Sequence, residues 1–129
     1  MEPSIHLGDL QLAIMRVLWA RREATVADVH EALEPERGLA LTTIATMLTK
    51  MEKKGVVAHR AEGRKFIYRP RVSEELVTRS MVADLTSQLF RGNVTALVNH
   101  LLSQHDIDRR ELQQLRELIS AHETQKEDR

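Results

Sequence analysis

Apolar residues recur at helical spacing from Leu10 through Ala13, Ile14, Val17 and Leu18. They form one stripe of a helix that Asp9 is placed to cap and that runs to about Trp19. Arg21-Arg22-Glu23 ends it. Thr25 to Asp28 has the form of a capping box, with Asp in place of the usual Glu or Gln. Val26, Val29, His30 and Leu33 follow at helical offsets until Pro35 stops this second helix. Beyond the turn-like Pro35-Glu36-Arg37-Gly38, a third helix starts at Thr42 and ends at Gly55. Lys53 and Lys54 stand in its last turn, where the helix dipole favours cations.

Two β-prone stretches come next, Val56 to Arg60 and Lys65 to Arg69. They flank Ala61-Glu62-Gly63-Arg64, a glycine-containing connection that reads as a hairpin, with Pro70 where the strand should end. Three short helices followed by a basic hairpin is the order of a winged helix-turn-helix. Ser73 then caps a longer helix to about Phe90, Gly92-Asn93 breaks it, and Val94 to Gln104 forms another helical stretch. Asp108 and Glu111, in capping-box positions, open a last helix with Leu112, Leu115, Leu118 and Ile119 on one side. Glu123 to Arg129 reads as a polar, frayed tail.

The expected architecture is mainly α with a small β-hairpin. It comprises an N-terminal winged helix-turn-helix over residues 1–72 and a C-terminal helical dimerisation region over 73–129. Apolar residues of the helix from Ser73, among them Leu76, Leu85 and Leu89, spread around more of its circumference than packing on one side requires. A two-fold partner would bury the rest, and the expected dimerisation residues are Leu76, Leu85, Leu89, Leu112, Leu115 and Leu118.

Length and composition narrow the picture. A chain of 129 residues holds one compact domain, or a small domain with a helical appendage that needs a partner. There is no cysteine, which removes disulfides, thiolate metal sites and thiol catalysis together. No apolar run suggests a spanning helix and the N-terminus lacks the form of a signal peptide, so a cytoplasmic chain without direct membrane insertion is expected.

The formal net charge is zero, but it is unevenly spread. Residues 50 to 71 hold eight basic side chains against two acids, a local surplus of six that suits a polyanion. On the third helix, Ile44, Met47, Leu48 and Met51 define the buried stripe, which turns Thr42, Thr46, Thr49 and Lys53 outward with Lys50 beside them. Small side chains first and lysines last is what a helix entering the major groove by its N-terminal half needs: threonines for base edges and thymine methyls, lysines for flanking phosphates. Threonine is a poor helix former, and four of them at 42, 43, 46 and 49 sacrifice propensity without an evident packing return. Arg60, Arg64 and Lys65 cluster around Gly63, where a wing could lie over the DNA backbone.

The six histidines show no metal-ligand spacing: His100 and His105 are five apart, and His30, His59 and His122 are isolated. Glu74-Glu75 and Asp106/Asp108 read as first-turn helix acids and no phosphate loop appears. No enzymatic activity, cofactor or metal is therefore expected.

Leu7 to Trp19 (LGDLQLAIMRVLW), Thr25 to Val29 (TVADV), Leu39 to Val57 (LALTTIATMLTKMEKKGVV) and Glu62 to Pro70 (EGRKFIYRP) together resemble the penicillinase-repressor family, the BlaI/MecI type with copper-responsive CopY relatives. The resemblance continues through Leu89 to Leu102 and Leu112 to Ile119. It implies a winged-helix repressor, dimeric through its C-terminal helices, that binds inverted-repeat operators and is released by an upstream signal. By position, Thr43 and Thr46 match the DNA-facing start of the family's recognition helix, and the hairpin around Gly63 matches its wing. Gln11 stands where the family often has an acid. Copper-responsive members carry a cysteine-rich motif near the C-terminus, which this chain lacks.

The resemblance further implies a membrane sensor-protease as partner. The matching cleavage site is Asn99-His100, where family substrates present phenylalanine after the asparagine; the alternative is that Asn99 is a polar residue on the exposed side of an amphipathic helix and that release uses a ligand bound between the domains. The rival expectation is a winged-helix protein-interaction module, which would show exposed apolar or aromatic residues on the third helix and wing.

Overall fold

The computed structural model describes residues 4–127. The element order is α1 (Asp9–Arg21), β1 (Ala24–Thr25), α2 (Val26–Arg37), α3 (Leu41–Lys54), β2 (Val57–Glu62), β3 (Lys65–Pro70), α4 (Glu74–Phe90), α5 (Val94–Gln104) and α6 (Arg109–Glu127). The three strands form one antiparallel sheet in the order β1-β3-β2. Compactness divides the chain into two units between Asp84 and Leu85, within α4; the boundary expected at Ser73 marks that helix's start.

The first unit is a winged helix built on the periodicity of its helices. Ile14, Met15 and Leu18 of α1, Val29 and Leu33 of α2, and Ile44, Leu48 and Met51 of α3 share one buried cluster with Val57, Tyr68 and Val77. Fully burying an aliphatic side chain of this size stabilises by about 1.5–3 kcal/mol, so this cluster is what holds the three helices and the hairpin together. Two long-range bonds tie the flanks to it. The Trp19 indole N–H donates to the Val72 carbonyl at 2.9 Å, and the Ile5 amide donates to Ser80 Oγ at 2.8 Å.

Local signals account for most helix ends. Thr25 and Asp28 close a full capping box: the Asp28 amide donates to Thr25 Oγ1 at 3.1 Å and the Thr25 amide to Asp28 Oδ2 at 3.0 Å. Gly55 takes the left-handed conformation at the end of α3, with φ 86°, which a β-carbon would disfavour. Ser73, Asn93 and Asp108 accept from the amides of Leu76, Ala96 and Glu111 at the starts of α4, α5 and α6.

Five expectations need correcting. Gly8, not Asp9, is the N-cap of α1; Asp9 is its first helical residue, and the Gly8 amide donates to Gln11 Oε1 at 3.2 Å. The third helix starts at Leu41 rather than Thr42. Helix α2 continues through Pro35 to Arg37 and ends at Gly38. Pro35 lies in the last turn, and Glu31, whose carbonyl loses its amide partner, is exposed, so water can take that hydrogen bond.

The hairpin turn is tighter than the four-residue connection expected. Glu62 pairs with Lys65, leaving Gly63-Arg64 as a two-residue loop. Gly63 has φ +62° and Arg64 is not among the positive-φ residues, the φ signs of a type II′ turn, which places glycine first. Finally, α6 stays helical to Glu127 instead of fraying from Glu123, because Glu, Gln and Lys are all good helix formers.

In the second unit the ring of Phe90 meets His100 edge-on at 5.8 Å. Among the described residues, none in α5 or α6 is buried. Leu89, Val94, Leu118 and Ile119 are each more than half exposed.

Candidate nucleic-acid interface

Helix α3 presents a polar face because its opposite face is sealed. Ile44, Leu48 and Met51 have no exposed surface and Met47 packs partly against the same core. Thr42, Thr43, Thr46, Thr49, Lys50 and Lys53 are consequently all exposed. The helix is fixed from both ends. His30 Nε2 lies 2.8 Å from the Leu39 carbonyl and 2.9 Å from Glu34 Oε2, holding the chain that leads into α3. Lys54 donates to the His6 carbonyl and to Gln11 Oε1, both at 3.0 Å, and Gln11 Nε2 reaches Met47 Sδ at 3.4 Å. Lys54 is thereby engaged with the N-terminal segment. Thr49 donates its hydroxyl to the Ala45 carbonyl at 3.1 Å.

On the wing, Arg64 and Lys65 are exposed at the turn. Arg60 is otherwise engaged. Its guanidinium donates to Glu23 at 2.6 and 3.2 Å and lies 3.5 Å from Glu62. The Arg60 hydrogen bond holds the Glu23 carboxyl below its ordinary range, and the Glu23 hydrogen bond raises Arg60 in turn. Of the three basic residues expected around Gly63, Arg64 and Lys65 face solvent, while Arg60 ties β2 to the turn before β1. Phe66 on β3 and Leu41 at the start of α3 are each 48% exposed, and both line a groove with Arg64 and Lys65.

The residues expected at a dimer contact fall into two groups. Leu76 packs against the core of the first unit. Leu85, Leu89 and Leu118 are exposed, while Leu112 and Leu115 are half-buried in an apolar concavity of about 490 Å³ shared with Val98, Leu102 and Ile119. Asn99 and His100 are exposed in the middle of α5.

A profile of the penicillinase repressor family matches residues 7–121. The chain belongs to that family. It is 25% identical to the penicillinase repressor of Bacillus licheniformis over 95% of this chain and 96% of that one. It is 38% identical to the transcriptional regulator BlaI of Mycobacterium tuberculosis over 80% and 76%, and 22% identical to the methicillin resistance regulatory protein MecI of Mammaliicoccus sciuri over 89% and 94%. Among solved structures it is similar to the DNA-binding domain of the repressor BlaI, with a TM-score of 0.52 at 32% identity, covering 59% of this chain and 93% of that one. The monomeric form of Bacillus licheniformis BlaI in complex with the blaP half-operator matches with a TM-score of 0.51, the same identity and the same coverage. The expected family and winged-helix fold are both borne out.

Sequence reading passed over the residues that join α3 to the wing. His59 Nδ1 lies 2.5 Å from Glu52 Oε1, and Tyr68 is buried beside them. Burial, and after it the Glu52 charge, push the Tyr68 phenol above its ordinary range, against the pull of a Thr49 hydrogen bond. The available signal was the alternation of Phe66 and Tyr68 along β3, which puts both on one face of the hairpin. Glu23 was read as a helix terminator, with nothing nearby in sequence to suggest Arg60.

Proposed function

We propose that this chain is a transcriptional repressor that binds a pseudo-palindromic operator as a homodimer, and not an enzyme. The observation that carries the reading is the exposed face of α3, four threonines and two lysines flanked by Arg64 and Lys65 of the wing. The fold is one that a relative uses in complex with a half-operator. Thr42, Thr43, Thr46 and Thr49 approach base edges, while Lys50, Lys53, Arg64 and Lys65 neutralise phosphates.

The dimer reading is supported by the second unit. Two helices without a buried side chain cannot supply a core, and the exposed Leu85, Leu89, Leu118 and Ile119 call for a second copy. Two-fold symmetry then spaces the recognition helices for half-sites about 34–36 Å apart. A cytoplasmic location, where operator DNA lies, goes with this reading; among the described residues no helix is long and apolar enough to cross a membrane.

Release is assigned to an upstream signal, with a membrane sensor-protease acting at Asn99-His100. Severing the chain there would turn bivalent binding into two monovalent contacts, losing an effective-concentration advantage of about 10²–10⁴. The bond lies inside α5, so a protease must first unwind that helix. Mass spectrometry of the chain from cells in which repression is relieved should find fragments ending at Asn99; intact chain would refute this route.

The exposed Phe66 and Leu41 are the feature that favours a protein-interaction module instead. One experiment separates the two readings: anisotropy titration of the chain against the duplex upstream of its own gene and against a scrambled duplex, over a range of salt. Preference for the natural duplex with a steep salt slope supports the repressor; no retention of either duplex supports the module.

A further inference from the structure

We infer that His59 is a positioning residue for operator recognition, acting through Glu52 to set the wing against the recognition helix. The inference deepens the repressor reading and rests on it.

The imidazole of His59 bridges three elements. It stands on β2, directly across from Tyr68 of β3 in the hairpin register. Its ring lies 5.3 Å from the Tyr68 ring and 4.4 Å from that of Phe66. Its Nδ1 meets the carboxylate of Glu52 on α3 at 2.5 Å. An ionised carboxylate only accepts, so Nδ1 carries the proton and donates. His59 and Glu52 side chains are 29% and 36% exposed, sheltered enough for a charge-assisted bond to keep more of its strength than one at an open surface.

What makes this link relevant to DNA is where Glu52 sits. Thr49 lies three residues before it and Lys53 directly after it, both on the exposed side of α3. These three line one groove with His59, Phe66 and Tyr68. Base readout depends on hydrogen-bond geometry that tolerates little displacement. A tether between the reading helix and the wing therefore controls whether both can engage the same duplex in register.

The prediction concerns a ratio, not an affinity. A variant that merely destabilises the fold lowers the competent fraction, which scales binding to every duplex by the same factor. Removing the Glu52 charge also acts equally on all duplexes, since phosphates carry no sequence. Loss of alignment lowers the operator affinity and leaves random DNA largely unaffected. The probe is a duplex recovered by the wild-type chain from a pool of randomised duplexes, titrated alongside an unselected duplex from the same pool.

The His59→Ala variant is expected to lower the selected-to-random ratio about tenfold, the order expected when one good hydrogen bond to a base edge is broken. His59→Asn keeps an N–H donor near the position of Nδ1 and should restore most of the ratio. Glu52→Gln should hold the ratio while raising both affinities. The double variant Glu52→Ala/His59→Ala should be no worse than either Ala change alone, as a shared pathway requires. An unchanged ratio in His59→Ala, or additive losses in the double variant, overturns the inference while leaving the repressor reading intact. Failure of the wild-type chain to enrich any sequence overturns both.

Discussion

Arg60 and Glu23 meet through two hydrogen bonds of 2.6 and 3.2 Å, so a guanidinium that sequence alone would give to phosphate is engaged within the protein. The consequence is measurable as counterion release. On random duplex, Arg64→Ala should reduce the salt slope by about 1, whereas Arg60→Ala should leave it nearly unchanged. Glu23→Ala leaves Arg60 only its longer, 3.5 Å contact with Glu62 and should steepen the slope by up to about 1. Equal losses for Arg60→Ala and Arg64→Ala would return Arg60 to the phosphate contacts.

Thr46 lies mid-way along the exposed face of α3. Thr46→Val keeps the shape and removes the hydroxyl, and should cost about 1–3 kcal/mol against the operator with little change on random DNA. Lys53→Ala, by contrast, should weaken both. Parallel titrations of the two duplexes check this; an equal loss on both for Thr46→Val removes it from base readout.

Leu118 is 57% exposed, and it lines the apolar concavity of the second unit. Leu118→Asp should yield monomers by sedimentation, with tight operator binding abolished. A wild-type chain that sediments as a monomer at micromolar concentration would overturn the dimer.

Asp28 is held below its ordinary value of 3.8 first by the Thr25 backbone hydrogen bond and then by the Thr25 hydroxyl. A depressed carboxyl stabilises the fold above its unfolded value, and this contribution is lost as pH falls through the folded value. The wild type should therefore lose stability on acidification below pH 3.8. Asp28→Asn should be less stable near neutrality and show a shallower acid limb. Urea unfolding across that range measures both, and identical acid limbs would exclude the Thr25–Asp28 box as the source.

What could be read in the sequence was what neighbours in sequence decide. The stripe Ile44, Met47, Leu48 and Met51 fixed which face of α3 is buried, and so which threonines and lysines are exposed. The Thr25–Asp28 box and Gly55 announced helix ends for the same reason. Ala24-Thr25 could not be read as a strand, because two residues have no period and become one only by pairing with Tyr68 and Ile67 of β3. The ion pair of Arg60 with Glu23 could not be read because the two lie 37 residues apart. Glu52–His59 spans seven residues, but it needs the turn at Gly55 to fold β2 back beside α3. Leu76, expected at the dimer contact, was indistinguishable by pattern from Leu85, since a helix stripe does not say which of two surfaces will cover it.

The unburied faces of α5 and α6 bear on how the repressor responds to its own abundance. A second copy is the proposed cover for them, and the population of paired chains then rises with the square of the chain concentration while most chains are single. Halving the number of molecules in a cell would lower the paired form about fourfold. Operator occupancy would then fall away more sharply than gene output. Such a regulator reads its own dosage, and partial depletion of the chain would act more like a threshold than a dial.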